Sequence, residues 1–375
     1  MKSSPEAIKR MVIKIGTNLL TGKRAFEGHV MEEVVKEVCE LKRTHAIDIV
    51  IVSSGAVGCG MQTLGLDKRP VSLPEKQAVA AVGQARLMHY YETLFQTYGK
   101  GLTTAQVLLT QADLDSRQNY LNVRNTLNTL FAIGTVIPII NENDSTATEE
   151  LKFGDNDTLA AKIAAKINAG LLVILTDVEG LYDKNPLEAE AHLISDVEQI
   201  TPDIEAVAGG AGSIAATGGM RTKIQAAKIA TAAGVDCVIT SGHQKQAIHR
   251  VLTGEAPRTR FFPAKVALSH RKRWIAFGRS TSGTIYVDGG ARNAVINRGK
   301  SLLPAGITGI EGKFSAGAAV RVVDESGALI ARGLVNYDSD SLRAIQGKKS
   351  AAIAGILGRK DFDEAIHRNN MVVLR

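Results

Sequence analysis

VIPIINENDSTATEELKFGDNDTLAAKIAAKINAGLLVILTD, residues 136–177, reads as a buried strand, a long polar loop, a helix and a second buried strand. The runs at 136–140 and 171–175 are continuously apolar, the pattern of strands covered on both faces. A helical pattern over 158–167 joins them, so the stretch is one strand–helix–strand unit. The same alternation extends in both directions. Upstream, 11–15 and 47–52 are short apolar runs, and 30–41 carries apolar positions at helical spacing. Residues 74–98 form a long helical pattern with Pro74 in the first turn, where proline is favoured. A strand at 102–109 and a helix at 119–131 follow, and downstream a helix at 220–233 precedes a strand at 236–239. Strands alternating with helices predict an α/β fold, a mostly parallel sheet sandwiched by helices.

The pattern changes after residue 253. Residues 254–263 hold glycine, two prolines and several charges, and read as a linker. Beyond Trp274 the segments are short, β-rich and punctuated by glycine, as in a small barrel. The expected organisation is a first domain over 1–253, a linker over 254–273 and a second domain over 274–375. No internal repeat or low-complexity tract interrupts it.

The charge divides at the same place. Residues 1–253 carry 25 Lys and Arg against 28 Asp and Glu. The remainder carries 20 against 10, so all of the net charge of +7 lies in the last third. A basic unit fits a polyanionic partner or a well-solvated surface, and charge alone does not choose between them. No apolar run approaches the roughly 20 residues of a membrane span. The N-terminus lacks the apolar core of a signal peptide, so a cytoplasmic protein with no membrane partner is expected. The three cysteines, Cys39, Cys59 and Cys237, are far apart and form no CxxC pair, which argues for buried thiols.

Ligands of open parallel sheets bind beyond the carboxyl ends of the strands, so the loops after each apolar run are the candidate site. VIKIGTN, 12–18, places Lys14 near the end of a buried strand, where an ammonium is costly unless it meets an anion. SSGAVGCG, 53–60, is either an anion nest of backbone N–H groups or a tight turn that needs glycine. The loop 141–157 concentrates Asn141, Glu142, Asn143, Asp144, Asp155, Asn156 and Asp157, suited to an α-amino group and to orienting a metal or a lysine. TDVEGLYDKNP, 176–186, follows the strand at 171–175. In ATGGMRTK, 216–223, two glycines precede a helix with Lys223 in its first turn, a combination suited to polyphosphate. The Walker A pattern GxxxxGK[ST] is absent from the sequence.

Together these segments resemble the amino-acid kinase family over nearly the whole chain. The pairing of NEND (141–144) with GDND (154–157) is similar to the branch that phosphorylates the side-chain carboxylate of glutamate, opening proline biosynthesis. VDGGARNAVINRGKSLLPAGI, 287–307, with GKFSAGAAVRVVD and EAIHRNNMVVL, resembles a PUA domain, a small β-rich barrel-like module associated with RNA binding. The resemblance implies ATP and Mg²⁺, with Lys14 and Lys223 on the transferring phosphoryl group and Asp157 holding both lysines. It implies that Ser54, Asp144 and Asn156 bind glutamate. ATP would meet Lys14, Thr176, Asp177, Thr217, Gly218, Gly219, Met220, Arg221, Thr222 and Lys223. No protein ligand is assigned to magnesium. The implied partners are L-glutamate, proline as feedback inhibitor, RNA through the PUA domain, a glutamyl-phosphate reductase and a second copy of the chain in a homo-oligomer.

Two other readings are open to test. A sister kinase would take acetylglutamate, aspartate, carbamate or UMP, against which NEND, GDND and the tail argue. A regulatory RNA-binding protein on a decayed kinase fold would not be expected to keep Lys14, Asp157 and Lys223 together.

Overall fold

The computed structural model describes residues 8–20, 28–115, 117–146, 156–186, 188, 190–208, 219–264, 272, 275–276 and 281–374. They divide into two compact units, 1–267 and 268–375.

The first unit is built on eight strands: β1 (Arg10–Ile15), β2 (Asp48–Ser53), β3 (Thr103–Leu109), β4 (Val136–Glu142), β5 (Leu171–Thr176), β6 (Asp196–Val197), β7 (Asp236–Ser241) and β8 (Arg258–Phe261). Their order across the sheet is β3-β4-β2-β1-β5-β7-β8-β6. β1 lies between β2 and β5, parallel to both, and five of its six residues are buried. That position explains why, after Arg10, its sequence is an apolar run with one lysine. β3 and β4 are parallel, as are β5 and β7, so the carboxyl ends of the strands align along one edge. β8 runs antiparallel to β7.

β8 overturns part of the linker expectation for 254–273. Residues 258–261 are a strand of the first unit, with Thr259 and Phe261 buried. Pro257 and Pro263 stand outside the strand and frame it, where a missing N–H costs no ladder hydrogen bond. The Arg260 guanidinium pairs with Asp236 of β7 through two N–H donors, at 3.1 and 2.9 Å.

The helices are α1 (Thr17–Leu20), α2 (His29–His45), α3 (Ala56–Thr63), α4 (Leu73–Tyr98), α5 (Gln111–Asp115), α6 (Arg117–Ile133), α7 (Asn156–Ile167), α8 (Pro202–Val207), α9 (Met220–Ala232) and α10 (Ala247–Thr253). α2 buries Val30, Met31, Val34, Val35, Val38 and Leu41, one stripe of a 3.6-residue period, against the sheet. α4 starts from a reciprocal cap. The Ser72 hydroxyl accepts from the Glu75 N–H and the Glu75 carboxylate from the Ser72 N–H, with Pro74 in the first turn. α3 and α4 touch backbone to backbone. A Cβ added to Gly83 would overlap the Ala56 carbonyl, and one added to Gly60 would overlap that of Val79.

The second unit is a five-stranded sheet of β9 (Gly283–Val287), β10 (Ile307–Gly312), β11 (Ala319–Val323), β12 (Leu329–Leu334) and β13 (Met371–Val373), in the order β10-β9-β11-β12-β13. β9 and β11 are parallel and the other pairs antiparallel. α11 (Gly289–Ile296), capped by Asp288, and α12 (Ser339–Ile345), capped by Asp338, belong to this unit with α13 (Ile353–Leu357). Its own core includes Ile285, Val287, Val320, Val322, Ile330, Leu342 and Ile366.

Candidate active site

The strand ends bring the chemistry together. Lys14 is the penultimate residue of β1, in register with Val52 of β2 and Ile174 of β5. It is 2% exposed, and its Nζ lies 2.5 Å from Asp157 Oδ1. Asp157, in the first turn of α7, is fully buried, and its carboxylate is favoured there by the positive end of the helix dipole. Lys223, in the first turn of α9, donates to the other oxygen, Oδ2, at 3.2 Å. One carboxylate thus holds two buried ammonium groups on different elements. Thr222 also donates to Asp157 Oδ2, at 3.1 Å, and to the Gly219 carbonyl. Its hydroxyl therefore serves the aspartate, where the sequence reading had placed it only on nucleotide.

Gly16 explains how the strand end fits. Its N–H donates to the Leu175 carbonyl, and an added Cβ would lie 3.2 Å from that carbonyl and 3.9 Å from Lys14 Nζ. Beside it, Thr176 donates through Oγ1 to Asp177 Oδ1, and Asn18 donates to Asp177 Oδ2. Burial works to raise the Asp177 carboxyl. The Asn18 and Thr176 hydrogen bonds and the Lys223 charge outweigh it and hold the group below its usual range. Gly219 caps α9 in extended backbone, open on its Cα side. Met220 is half-buried and Arg221 exposed. Thr217 and Gly218 lie outside the described residues.

On the other side of Lys14, β2 and β4 end in a net of amides and hydroxyls. Asn156 Nδ2 donates to the Ser53 carbonyl, the Ser54 hydroxyl and Asn141 Oδ1, at 3.0, 3.0 and 2.9 Å. Asn141 Nδ2 donates to Gln84 Oε1 at 2.8 Å. Tyr91, fully buried on α4, donates to Ser53 Oγ at 2.8 Å, and burial pushes its phenol up, so it stays a donor. Gly55, at φ 105°, turns the chain from β2 into α3, a conformation glycine adopts without strain. Beyond the net lies a cavity of about 270 Å³ walled by α3, α4, β3 and the loop after β4, where Asp144 sits with Asn143, Glu142, Gln84 and Gln106.

Ser54 and Asn156 are therefore in direct contact, and Asp144 stands on the cavity wall, which Gln84 of the net also lines. The sequence reading assigned no role to Ser53, Gln84, Tyr91 or Asn18. Gln84 and Tyr91 are seven residues apart, two turns along one face of α4, a spacing that places them together without saying what they face. Among the described residues no group of three or more His, Cys, Asp or Glu side chains is placed to hold a metal ion. Both Asp157 oxygens face lysines, so these side chains build no magnesium cage of their own. No helix among the described residues is long and apolar enough to cross a membrane.

The profile of the Amino acid kinase family matches residues 9–241, and that of the PUA domain matches 283–357. Glutamate 5-kinase of Moorella thermoacetica is 49% identical over 368 residues, covering 98% of this chain and 96% of that one. Glutamate 5-kinase of Caldanaerobacter subterraneus subsp. tengcongensis is 48% identical over 97% of this chain and 98% of that one. The same enzyme of Geobacter sulfurreducens is 48% identical over 98% of each.

Proposed function

This chain belongs to the amino acid kinase family, and from that membership we propose how its residues carry out the reaction. The chain has glutamate 5-kinase activity, the first step of proline biosynthesis. The side-chain carboxylate of L-glutamate attacks the γ-phosphorus of ATP, and the new O–P bond gives L-glutamyl 5-phosphate. The bond from that phosphorus to the β,γ-bridging oxygen breaks, and ADP leaves with the electron pair.

The observation that carries the mechanism is the convergence of Lys14 and Lys223 on the two oxygens of buried Asp157. A carboxylate nucleophile, with an ordinary pKa near ~4.3, is already ionised at neutral pH and needs no general base. The task is to bring two anions together and stabilise the transferring group, which is positioning and electrostatics. Lys14 faces the transferring phosphoryl group from β1, and Lys223 faces the bridging oxygen from α9. Asp157 keeps both ammonium groups aimed at the site. The open backbone at Gly219, the first turn of α9 with Thr217, Gly218, Met220, Arg221 and Thr222, and the pair Thr176–Asp177 receive the nucleotide. Ser54, Asn156 and Asp144 receive glutamate, with Asp144 the counter-charge for its ammonium. Magnesium would be held by the phosphates of ATP and by water, and would supply positive charge to the transferring group.

Proline, the end product, shares the amino-acid head group with glutamate and inhibits by competing for its place. The basic second unit takes RNA, the acyl phosphate passes to a glutamyl-phosphate reductase, and the chain works as a homo-oligomer in the cytoplasm. The deciding experiment measures ADP release from magnesium-ATP with and without L-glutamate, beside acetylglutamate, aspartate, carbamate and UMP. Glutamate alone is expected to stimulate turnover. Equal release with and without it overturns the assignment.

A further inference from the structure

The amide net between β4 and α4 has a direction. It starts at a donor of fixed identity, the Glu142 backbone N–H, which donates to Asn141 Oδ1 at 2.9 Å. The Asn141 carboxamide is thereby oriented, so its Nδ2 faces α4 and donates to Gln84 Oε1 at 2.8 Å. Gln84 is oriented in turn, with its oxygen used and its NH₂ group left at the end of the relay. Gln84 lines the cavity, and its Nε2 is buried with no acceptor among the described residues. A buried donor without an acceptor is costly, and a native fold keeps one where something else supplies the acceptor.

The sheet order says which part of a substrate reaches it. Lys14 is on β1, and the cavity lies at the ends of β4 and β3, which follow β2 on that side. Adjacent strands are about 4.8 Å apart, so the cavity begins roughly 10 Å from Lys14. An acceptor whose side-chain carboxylate lies at Lys14 therefore extends its amino-acid head group into the cavity. Asp144 stands on the wall for the ammonium, which leaves the head-group carboxylate in need of a donor.

We propose that Gln84 is a specificity residue, whose Nε2 donates to the α-carboxylate of the amino-acid acceptor while Asn141 holds its amide in that orientation. The proposal rests on the glutamate kinase reading. It separates acceptors that carry a free α-carboxylate from those that do not. One hydrogen bond to a charged group corresponds to about 10- to 100-fold in affinity.

The test uses the full chain and two variants, Gln84→Glu and Gln84→Met, checked for wild-type thermal melting. Gln84→Glu keeps an oxygen for Asn141 and the shape of the side chain, but exchanges the N–H donor for negative charge. The KM for glutamate is expected to rise about 10-fold or more in both variants, with kcat and the KM for ATP within about two-fold of wild type. If Gln84 only anchors Asn141, Gln84→Glu keeps the wild-type KM and Gln84→Met alone raises it; that pattern overturns the proposal, as does an equal rise for both substrates. A second measurement needs no variant: glutamate with its α-carboxylate masked as the amide should lose about 10-fold or more in kcat/KM on the wild-type chain. In Gln84→Glu that penalty should shrink, because the masked group now supplies the donor. Equal efficiency for glutamate and its α-amide on the wild type overturns the proposal while leaving glutamate kinase activity intact. Absence of any glutamate-dependent turnover removes the functional reading and the proposal together.

Discussion

Lys14 Nζ lies 2.5 Å from Asp157 Oδ1, and both side chains are buried. A buried ammonium and carboxylate stabilise each other only as a pair, and removing one partner costs about 3–5 kcal/mol. Asp157→Asn preserves the shape and takes the counter-charge from Lys14 and Lys223 at once. The expected result is a lower melting temperature and a kcat reduced by roughly 10²-fold or more. Steady-state kinetics with thermal denaturation checks both, and a variant with wild-type kcat rules out the role given to Asp157.

Lys223→Ala removes one positive charge from the phosphoryl side and leaves the Lys14–Asp157 pair in place. Loss of one preorganised charge donor lowers turnover by roughly 10²-fold. The loss should appear in kcat, with the KM for glutamate little changed. A kcat near wild type would place Lys223 away from the reacting group.

Asp144 stands on the cavity wall, on the opposite side of Lys14 from the first turn of α9. Asp144→Ala should therefore raise the KM for glutamate by at least about 10-fold and leave that for ATP nearly unchanged. Initial rates with each substrate varied separately decide the matter, and a parallel rise in both contradicts the assignment.

These positions show what the sequence could and could not reveal. β1, β2 and β5 were legible because a strand covered on both faces must be apolar throughout, and the start of α4 because Pro74 stands in its first turn, where proline is favoured. β8 was hidden because Pro257 and Pro263 look like breakers when read locally, and only pairing with β7 shows them as its frame. β6 spans two residues, too few for any periodicity. In the site, Lys14 was legible as an ammonium misplaced in an apolar strand. Gln84 and Tyr91 were not, since a polar residue on a long helix looks the same whether it faces water or the end of β2.

Glu37 on α2 offers a test by pH. It accepts from the His249 N–H at 2.7 Å, and burial raises its carboxyl to about 7 although hydrogen bonds from the backbone of His249 and Ile248 oppose this. A carboxyl raised in the fold contributes stability that is fully present below its unfolded range near ~4.3 and is lost as pH rises through about 7. Glu37→Gln keeps an oxygen for His249 and cannot ionise. The melting temperature of the variant relative to wild type should increase between pH 5 and pH 8, by an amount equivalent to on the order of 3 kcal/mol. A constant difference across that range would show that Glu37 titrates normally.

The boundary between the units also has a direct test. A chain ending at 267 keeps β8, and should fold and phosphorylate glutamate. A chain ending at 253 loses the strand paired with β7, the Arg260–Asp236 ion pair and the Thr259 hydroxyl that accepts from the Leu181 N–H. It should melt at a lower temperature and aggregate through the bared edge of β7. Circular dichroism melting of the two fragments separates them, and equal melting would return residues 254–263 to the status of a linker.

The contact of α3 with α4 has a consequence for how acceptor choice can drift. At Gly60 and Gly83 the helices meet through main-chain atoms, and neither position accepts a methyl group without parting them. The cavity beside this joint is walled by Ala56, Ala80, Ala81 and Ala85, the smallest side chains that still define a surface. The frame is thus set by main-chain contacts at Gly60 and Gly83, and the volume by the alanine side chains. Replacing one alanine by valine narrows the room for the acceptor by two carbons while the joint stays where it was. Substrate size is open to stepwise adjustment in this chain, and the angle at which the two helices present it is not.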